Sequence, residues 1–356
     1  MSETHGSAST VPTTERLLDL IDAMAGRPVV LVADLVVDRF LTGTPKRISR
    51  EAPVLILSYQ GERIAPGGGA NAAANVIALG GRPLVLGAVG DDANGSDLLA
   101  DLSARGIDTS GVLVRPGYRT PTKVRILGGG RHSIKQQIVR YDIEDTLVLT
   151  DADRSAFVAR LEAWRAEGSA GLSTAILSDY GYGTVEPGFL PLLRAALGPG
   201  SILLCDSRYR LGDFRGLDGA TPNEEEAEAL LGRPIDDAPE PLAQAGRSLR
   251  DTLGAGFLLV TRGSRGMSLF DPEGAIHLPV HGTDQVADVT GAGDTVIGTF
   301  ALALAAGATP LEAALLANYA GGIVVMKMGT ATLSRDELAR AVRSDPRPVE
   351  GLRWAG

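Results

Sequence analysis

Short apolar runs alternate with amphipathic stretches along most of the chain. VVLVAD (29–34), PLVLGAVGDD (83–92), STAILSD (173–179), SILLCD (201–206) and GFLLVT (256–261) are nearly continuous apolar segments. That is the pattern of strands buried on both faces of a parallel sheet. Segments with helical spacing lie around them, at 69–81, 95–106, 153–167, 187–197, 223–232 and 240–253. A further helix starts at Thr14, with Leu17, Leu18, Ile21 and Met24 on one face and Gly26 and Pro28 at its end, and 291–343 is mostly helical in pattern. Alternation of strand and helix over about 200 residues predicts an α/β fold, a doubly wound and mostly parallel sheet flanked by helices.

Two stretches depart from this pattern. PVLILSYQGERI (53–64) and TPTKVRILGGGRHSIKQQIVRYDIE (120–144) alternate apolar and polar residues, as sheets with one wet face do. They predict a small β-sheet lid, with strands from about 36–66 and 112–144, projecting from a single domain that spans 14–356. The alternative is a pair of surface hairpins without function, but connections this long in a compact domain are usually functional, as a lid or a dimer contact. Residues 1–13, mostly Ser, Thr, Gly and Pro, are expected to be disordered.

Charge and cysteine content narrow the functional classes. Lys and Arg number 34 against 43 Asp and Glu, a net charge of −9. There is no basic field for nucleic acid, so an anionic small substrate needs a local cluster of Arg and Lys. The single Cys205 excludes a disulfide framework and thiolate zinc sites and fits a reducing cytoplasm. His5, His132, His277 and His281 have no metal-ligand spacing. The N-terminal residues lack the pattern of a signal peptide, and the apolar stretch near 296–308 is too short for a membrane span.

The sharpest motif is DVTGAGDTVIGTF, Asp288 to Phe300. A turn of Gly291, Ala292 and Gly293 opens a helix with Asp294 in its first turn, where converging N–H groups and the helix terminus make an anion hole with a carboxylate at its edge. Phosphoryl transfer needs that pair, donors for the migrating phosphoryl group and a base for the attacking hydroxyl. A stabilising acidic residue at a helix start is the plainer explanation for Asp294 taken alone. APGGGANAAANVIALGG (65–81) permits close backbone approach to a ligand, and Asn71 can donate to and accept from a sugar hydroxyl. Gly67, Gly69 and Ala72 also satisfy a loose dinucleotide fingerprint, but that motif normally ends the first strand of its fold, and here the first buried run is far upstream. TPNEEEAEALLG (221–232) carries Asn223 and Glu226 at a helix start, where three Glu are usually a solvated first turn. LVTRGSRGMSLF (259–270) is a strand, a Gly turn and a strand, by itself an ordinary hairpin. A Walker A motif is absent, which excludes a P-loop enzyme.

Together these motifs resemble the ribokinase-like (PfkB) sugar kinases, from about Arg27 to Arg343. Within that family the chain looks most like the heptose 7-phosphate kinase module of lipopolysaccharide-precursor synthesis. The matching runs include RISREAPV (47–54), TKVRIL (122–127), VRYDIE (139–144), ILSDYG (176–181), CDSR (205–208) and ATPNEEE (220–226). That module is often fused to a nucleotidyltransferase, and no HxGH-like motif is found here.

The resemblance implies an ATP-dependent, Mg²⁺-requiring kinase for the anomeric hydroxyl of a heptose 7-phosphate. Asp294 would be the base, with Gly291, Ala292 and Gly293 as the anion hole. Asn223, Glu226, Thr261, Gly263, Gly266 and Asn318 fall on nucleotide positions, with Glu226 orienting water around Mg²⁺. Asp38, Gly68, Gly69 and Asn71 fall on sugar-binding positions, and Lys123, Arg125 and Arg208 are candidates for the substrate phosphate. Asp288 and Thr290 match positions that often border a monovalent cation such as K⁺. A small sugar phosphate is then the partner, with a homodimer formed through the lid. The chain departs from the heptose kinases where DYxKG reads DYGYG, with Tyr182 for Lys, and where DPK reads Asp206-Ser207-Arg208. Both changes are expected near the sugar phosphate. A PfkB kinase for another sugar or sugar phosphate, such as ribose or fructose, and a binding protein without catalysis are the alternatives.

Overall fold

The computed structural model describes residues 11–130, 135–168, 174–236, 238–282 and 286–355. Among them the strands are β1 (Pro28–Ile48), β2 (Leu55–Gly68), β3 (Arg82–Gly90), β4 (Val112–Arg115), β5 (Thr122–Gly128), β6 (Gln136–Ile143), β7 (Thr174–Asp179), β8 (Ile202–Ser207), β9 (Gly219–Ala220), β10 (Phe257–Thr261), β11 (Met267–Asp271), β12 (Gly274–Leu278) and β13 (Arg353–Ala355). The main sheet runs β13-β12-β11-β10-β9-β8-β7-β1-β3-β4. It is parallel from β10 through β4 and antiparallel across β10, β11, β12 and β13.

β1 belongs to two sheets. Its first half pairs in parallel with β3 and β7 in the middle of the main sheet. Its second half continues into a four-stranded lid, antiparallel to β2 and parallel to β5, with β6 antiparallel on β5. The apolar run ends near Val37, yet backbone pairing carries the strand to Ile48, with register shifts at Thr42/Gly43 and Pro45/Arg47. Such irregularities accommodate a proline inside a strand. Residues 112–115, expected in the lid, instead form the edge of the main sheet, because the bridge of Asp108 to Leu84 has already brought the backbone alongside β3.

Both faces of the main sheet are covered, as a run without alternation requires. Val29, Leu31 and Ala33 of β1 pack in one core with helices Gly69–Ala78, Ala292–Ala305 and Pro310–Val324. Val30 and Val32 pack in the other with helices Asp151–Ala166, Leu190–Leu197 and Pro239–Leu253. Each fully buried Val or Leu contributes roughly 1.5–3 kcal/mol. Among the described residues no helix is long and apolar enough to cross a membrane. The expected disorder of 1–13 falls outside the described residues as far as residue 10. It does not extend to residue 13: Pro12 is buried, and the Thr13 side chain caps helix Thr14–Ala23 by accepting from the Arg16 N–H.

Helix Gly69–Ala78 approaches β1 so closely that a Cβ on Gly69 would lie 2.2 Å from the Ala33 Cβ. Ala33 is in the central strand and cannot yield. Gly69→Ala is therefore expected to destabilise the fold by about 1–3 kcal/mol. Urea unfolding should show a lower midpoint at unchanged m; an unchanged midpoint would mean that helix and strand are not locked together.

Candidate active site

Open α/β sheets place ligands beyond the C-terminal ends of their parallel strands. Here β7 ends at Asp179, β8 at Ser207 and β10 at Thr261, below the lid that β1 enters. A cavity of about 410 Å³ lies between them, lined from the sheet side by Asp179, Asp206 and Thr261 and from the lid by Asp38, Lys123 and Arg125.

The floor of this cavity is the start of helix Ala292–Ala305. Its N-cap, Gly291, has φ +77° and no side-chain cap, and a Cβ there would lie 2.4 Å from the Asn71 Nδ2. Only glycine fits such a conformation and approach. Among the described residues the N–H groups of Gly293 and Asp294 have no protein acceptor. They are therefore free for an anion, in the field of a helix N-terminus.

Asp294 is 3% exposed. The Tyr180 hydroxyl donates to its Oδ1 at 2.8 Å, and the Asn71 Nδ2 donates to its Oδ2 at 3.1 Å. Asn71 is itself held by Asn75, whose Nδ2 donates to the Asn71 backbone oxygen at 3.0 Å and to its Oδ1 at 3.3 Å. Burial pushes the Asp294 carboxyl up to about 6, against the two donors and the nearby Lys123 ammonium. A carboxyl so placed can take up a proton near neutral pH. Asp206 beside it is pushed well above the usual carboxylate range by burial, and then by the charges of Glu226, Asp294 and Asp179.

The cavity has a basic side. Lys123 and Arg125 share one face of β5, and Arg140 stands opposite Arg125 on β6. Arg125 is ion-paired with the buried Asp38, and Arg140 donates to Asp142 at 2.8 and 2.7 Å. Burial lowers the Lys123 ammonium, which lies 4.8 Å from the centre of the Tyr180 ring. Arg208 also lines the cavity. Among the described residues, Lys123 and Arg208 take part in no salt bridge.

A second cavity, about 320 Å³, adjoins the first and is more apolar, with Gly263, Gly266, Val296, Asn318 and Val325 in its walls. Both cavities include Thr261, Val289, Ala292 and Gly293, so the anion hole stands at their junction. One site can therefore hold two ligands with their reacting groups meeting over Gly293.

Comparison with known proteins gives the family. Residues 29–337 match the profile of the pfkB family carbohydrate kinases. The chain belongs to that family. Among its relatives, the bifunctional protein HldE of Mesorhizobium japonicum is 37% identical over 93% of this chain and 65% of that protein. HldE of Azotobacter vinelandii is 40% identical over 91% of this chain and again 65% of its own. The chain thus spans just under two thirds of these relatives. In fold it is similar to phosphofructokinase-2 from Escherichia coli in complex with potassium (TM-score 0.69, 20% identity, 89% of this chain and 98% of that one). It is also similar to Arabidopsis thaliana ribokinase complexed with ribose and ATP (TM-score 0.68, 21% identity, 90% and 100%).

Most residues singled out in the sequence converge on this pfkB site. Asp38, Gly68, Lys123, Arg125, Arg208, Thr290 and the Gly291–Asp294 turn line the first cavity together with Asn223, Glu226 and Thr261. Gly263, Gly266 and Asn318 line the second, although the Asn318 amide donates to the Pro279 carbonyl at 2.7 Å. Three placements differ from expectation. Asn71 and Gly69 are buried behind the cavity, where the Asn71 amide supports Gly291 and Asp294 instead of facing a sugar. Asp288 is not in the lining of either cavity and accepts the N–H groups of Thr290 (2.9 Å) and Gly329 (3.0 Å), tying two loops together. Tyr182, expected near a sugar phosphate, is buried with its hydroxyl on Glu144 at 3.0 Å, while Arg208 does face the cavity.

Glu226 is both a capping residue and part of the cavity wall. It closes a capping box with Asn223, each backbone N–H bonded to the other side chain at 2.9 Å, and it also borders the cavity. Sequence reasoning assigned no role to Tyr180, Arg140 or Asp206. Each stands inside a matching run, but only the strand register and the buried hydrogen bonds single it out.

Proposed function

We propose that this carbohydrate kinase transfers the γ-phosphoryl group of ATP to the anomeric hydroxyl of D-glycero-D-manno-heptose 7-phosphate, giving the 1,7-bisphosphate and ADP. The observation that carries this reading is the pair of cations Lys123 and Arg208, which line the same cavity as Asp294 and, among the described residues, take part in no salt bridge. In an acidic protein, cations in a cleft that lack a carboxylate partner suit an anionic group on the acceptor, and Arg140 lines the same cavity. The resemblance to heptose 7-phosphate kinases and the HldE relatives supply the sugar. Asp294 takes the hydroxyl proton, the sugar oxygen attacks the γ-phosphorus, and the N–H groups at the helix start hold the charge on the migrating phosphoryl. The second cavity would take the nucleotide, with its base and ribose against Gly263, Gly266 and Asn318.

Mg²⁺ would accompany the nucleotide and neutralise charge on its phosphates. Glu226 is a hard oxygen donor at the cavity wall, suited to holding waters around such an ion. A potassium ion near Asp288 and Thr290 is part of the same reading. The buried Thr330 hydroxyl, whose methyl group stands close to Gly291, has no hydrogen-bond partner and is an oxygen available to it. We place the reaction in the cytoplasm, in keeping with the buried free thiol of Cys205. The lid carries exposed apolar side chains, among them Ile48 (60%), Tyr59 (67%) and Tyr141 (50%), which fits a homodimer formed through it. Sedimentation at micromolar concentration should give a dimer that Tyr59→Glu dissociates; a monomeric parent would refute the contact.

A charge-assisted contact is worth about 1.5–3 kcal/mol. The enzyme should therefore prefer the phosphorylated heptose to the free sugar by about tenfold or more in kcat/KM. Equal or better turnover of free ribose or fructose would reject the heptose phosphate and leave the family intact. Asp294→Asn keeps the shape of the side chain but removes the base. It should lower kcat by about 10²–10⁴, with little change in calorimetric ATP affinity. Turnover within a fewfold of the parent would mean that the base lies elsewhere.

A further inference from the structure

Tyr180 follows β7 and has no place in the phosphoryl-transfer scheme above, yet its side chain is fixed from three directions. Its backbone N–H donates to the buried Asp34 at 2.9 Å, which also accepts the N–H groups of Tyr182 and Thr184 at 2.9 Å each. One side of its ring lies against Gly68, where a Cβ would come within 3.2 Å of the Tyr180 Cε2. The Lys123 ammonium stands 4.8 Å from the ring centre. The hydroxyl that results from this seating is bonded to the Asp294 Oδ1 at 2.8 Å.

We propose that Tyr180 is a positioning residue for Asp294: its hydroxyl orients the carboxylate toward the cavity and keeps it in the proton-accepting form at neutral pH. A donor to the ionised form of a carboxylate favours that form. Without it, burial acts on Asp294 with only Asn71 and the surrounding charges to oppose it. The charged groups facing Asp294 are Lys123 on β5, Asp38 on β1 and Asp206 on β8, with Arg208 just after β8. Helix Gly69–Ala78 presents only the neutral Asn71. Helix Pro310–Val324, packed along the Asp294 helix, has Glu312, which is paired with Arg16, and Tyr319, whose hydroxyl donates to the Asp345 carbonyl. Tyr180→Phe leaves all of these in place, so a changed pH profile reports the hydroxyl alone.

The inference rests on the reading of Asp294 as the base, and the experiment separates the two. Log kcat/KM is measured from pH 5 to 9 for the parent, Asp294→Asn, Tyr180→Phe and the protein carrying 3-fluorotyrosine at 180. The parent should lose activity below about pH 6, where Asp294 takes up its proton. Asp294→Asn should be depressed at every pH; if it is not, the base reading fails. In Tyr180→Phe the acid limb should move up by about one pH unit or more, as a lost donor lets burial raise the carboxyl further. Activity should then fall several-fold at pH 6.5 and return to within about threefold of the parent at pH 9. Fluorotyrosine keeps the ring and makes the phenol a stronger donor, so its limb should move down, and this arm stands even if Tyr180→Phe does not fold. An acid limb that stays where it is in both proteins, or a loss in Tyr180→Phe that is the same at every pH, would overturn the role of Tyr180.

Discussion

A carboxylate taken out of water must be held by donors or give up its charge, and this protein places three buried carboxylates in the wall of one cavity and a fourth on the backbone of the Tyr180 turn beside it. Asp34, Asp38, Asp179 and Asp294 are each at most 3% exposed. Asp34 is held by three backbone N–H groups, Asp38 by Arg125, and Asp179 by Ser207 and Arg210. Each of these pins a different segment. Asp34 shapes the turn after β7, Asp38 fastens the lid strands to each other, and Asp179 fastens the ends of β7 and β8. Asp294 is held by two side-chain donors, an amide and a phenol, neither of them a cation. Burial pushes its carboxyl up to about 6, and the other three carboxylates build the frame around it.

The same frame explains how one strand serves two sheets. β1 is locked into the main sheet by the burial of both its faces, has Asp34 at its last pairing with β3, and then carries Asp38 past the sheet's end. The lid is thus an extension of a strand buried in the middle of the main sheet. Arg39, on the opposite face of β1 from Asp38, bonds Asn94 and Asp97 of helix Ala93–Ala104 and anchors the base of the lid to the main domain. The cavity-lining cations of β5 and β6 are carried on this extension.

Much of this was legible in the sequence because burial on both faces leaves continuous apolar runs, and the runs at 29–34, 174–179, 202–206 and 257–261 all became strands of the main sheet. The Gly291–Asp294 turn was equally legible, since positive φ and a free helix start demand glycine there. The second half of β1 was harder to read. Gly43 and Pro45 look like a turn, and only pairing with β2 and β5 holds them in a strand. Cross-strand relations left no trace either. Arg140 meets Arg125 through register, and Tyr180 meets Asp294 across 114 positions of sequence. Asn71 was read as a sugar ligand because an amide can serve either role, and the structure places its amide on the Gly291 carbonyl and Asp294.

The central claim is that one cavity holds a sugar phosphate with its anomeric hydroxyl at Asp294 and its distal phosphate on the basic side. A crystal structure with heptose 7-phosphate and a non-hydrolysable ATP analogue tests this most directly. The account predicts the anomeric oxygen within about 3.2 Å of an Asp294 oxygen, the far phosphate against Lys123 and Arg208, and the γ-phosphate at the Gly293 N–H. A sugar phosphate bound with its phosphate at the anion hole, or with its anomeric hydroxyl turned away from Asp294, would contradict it.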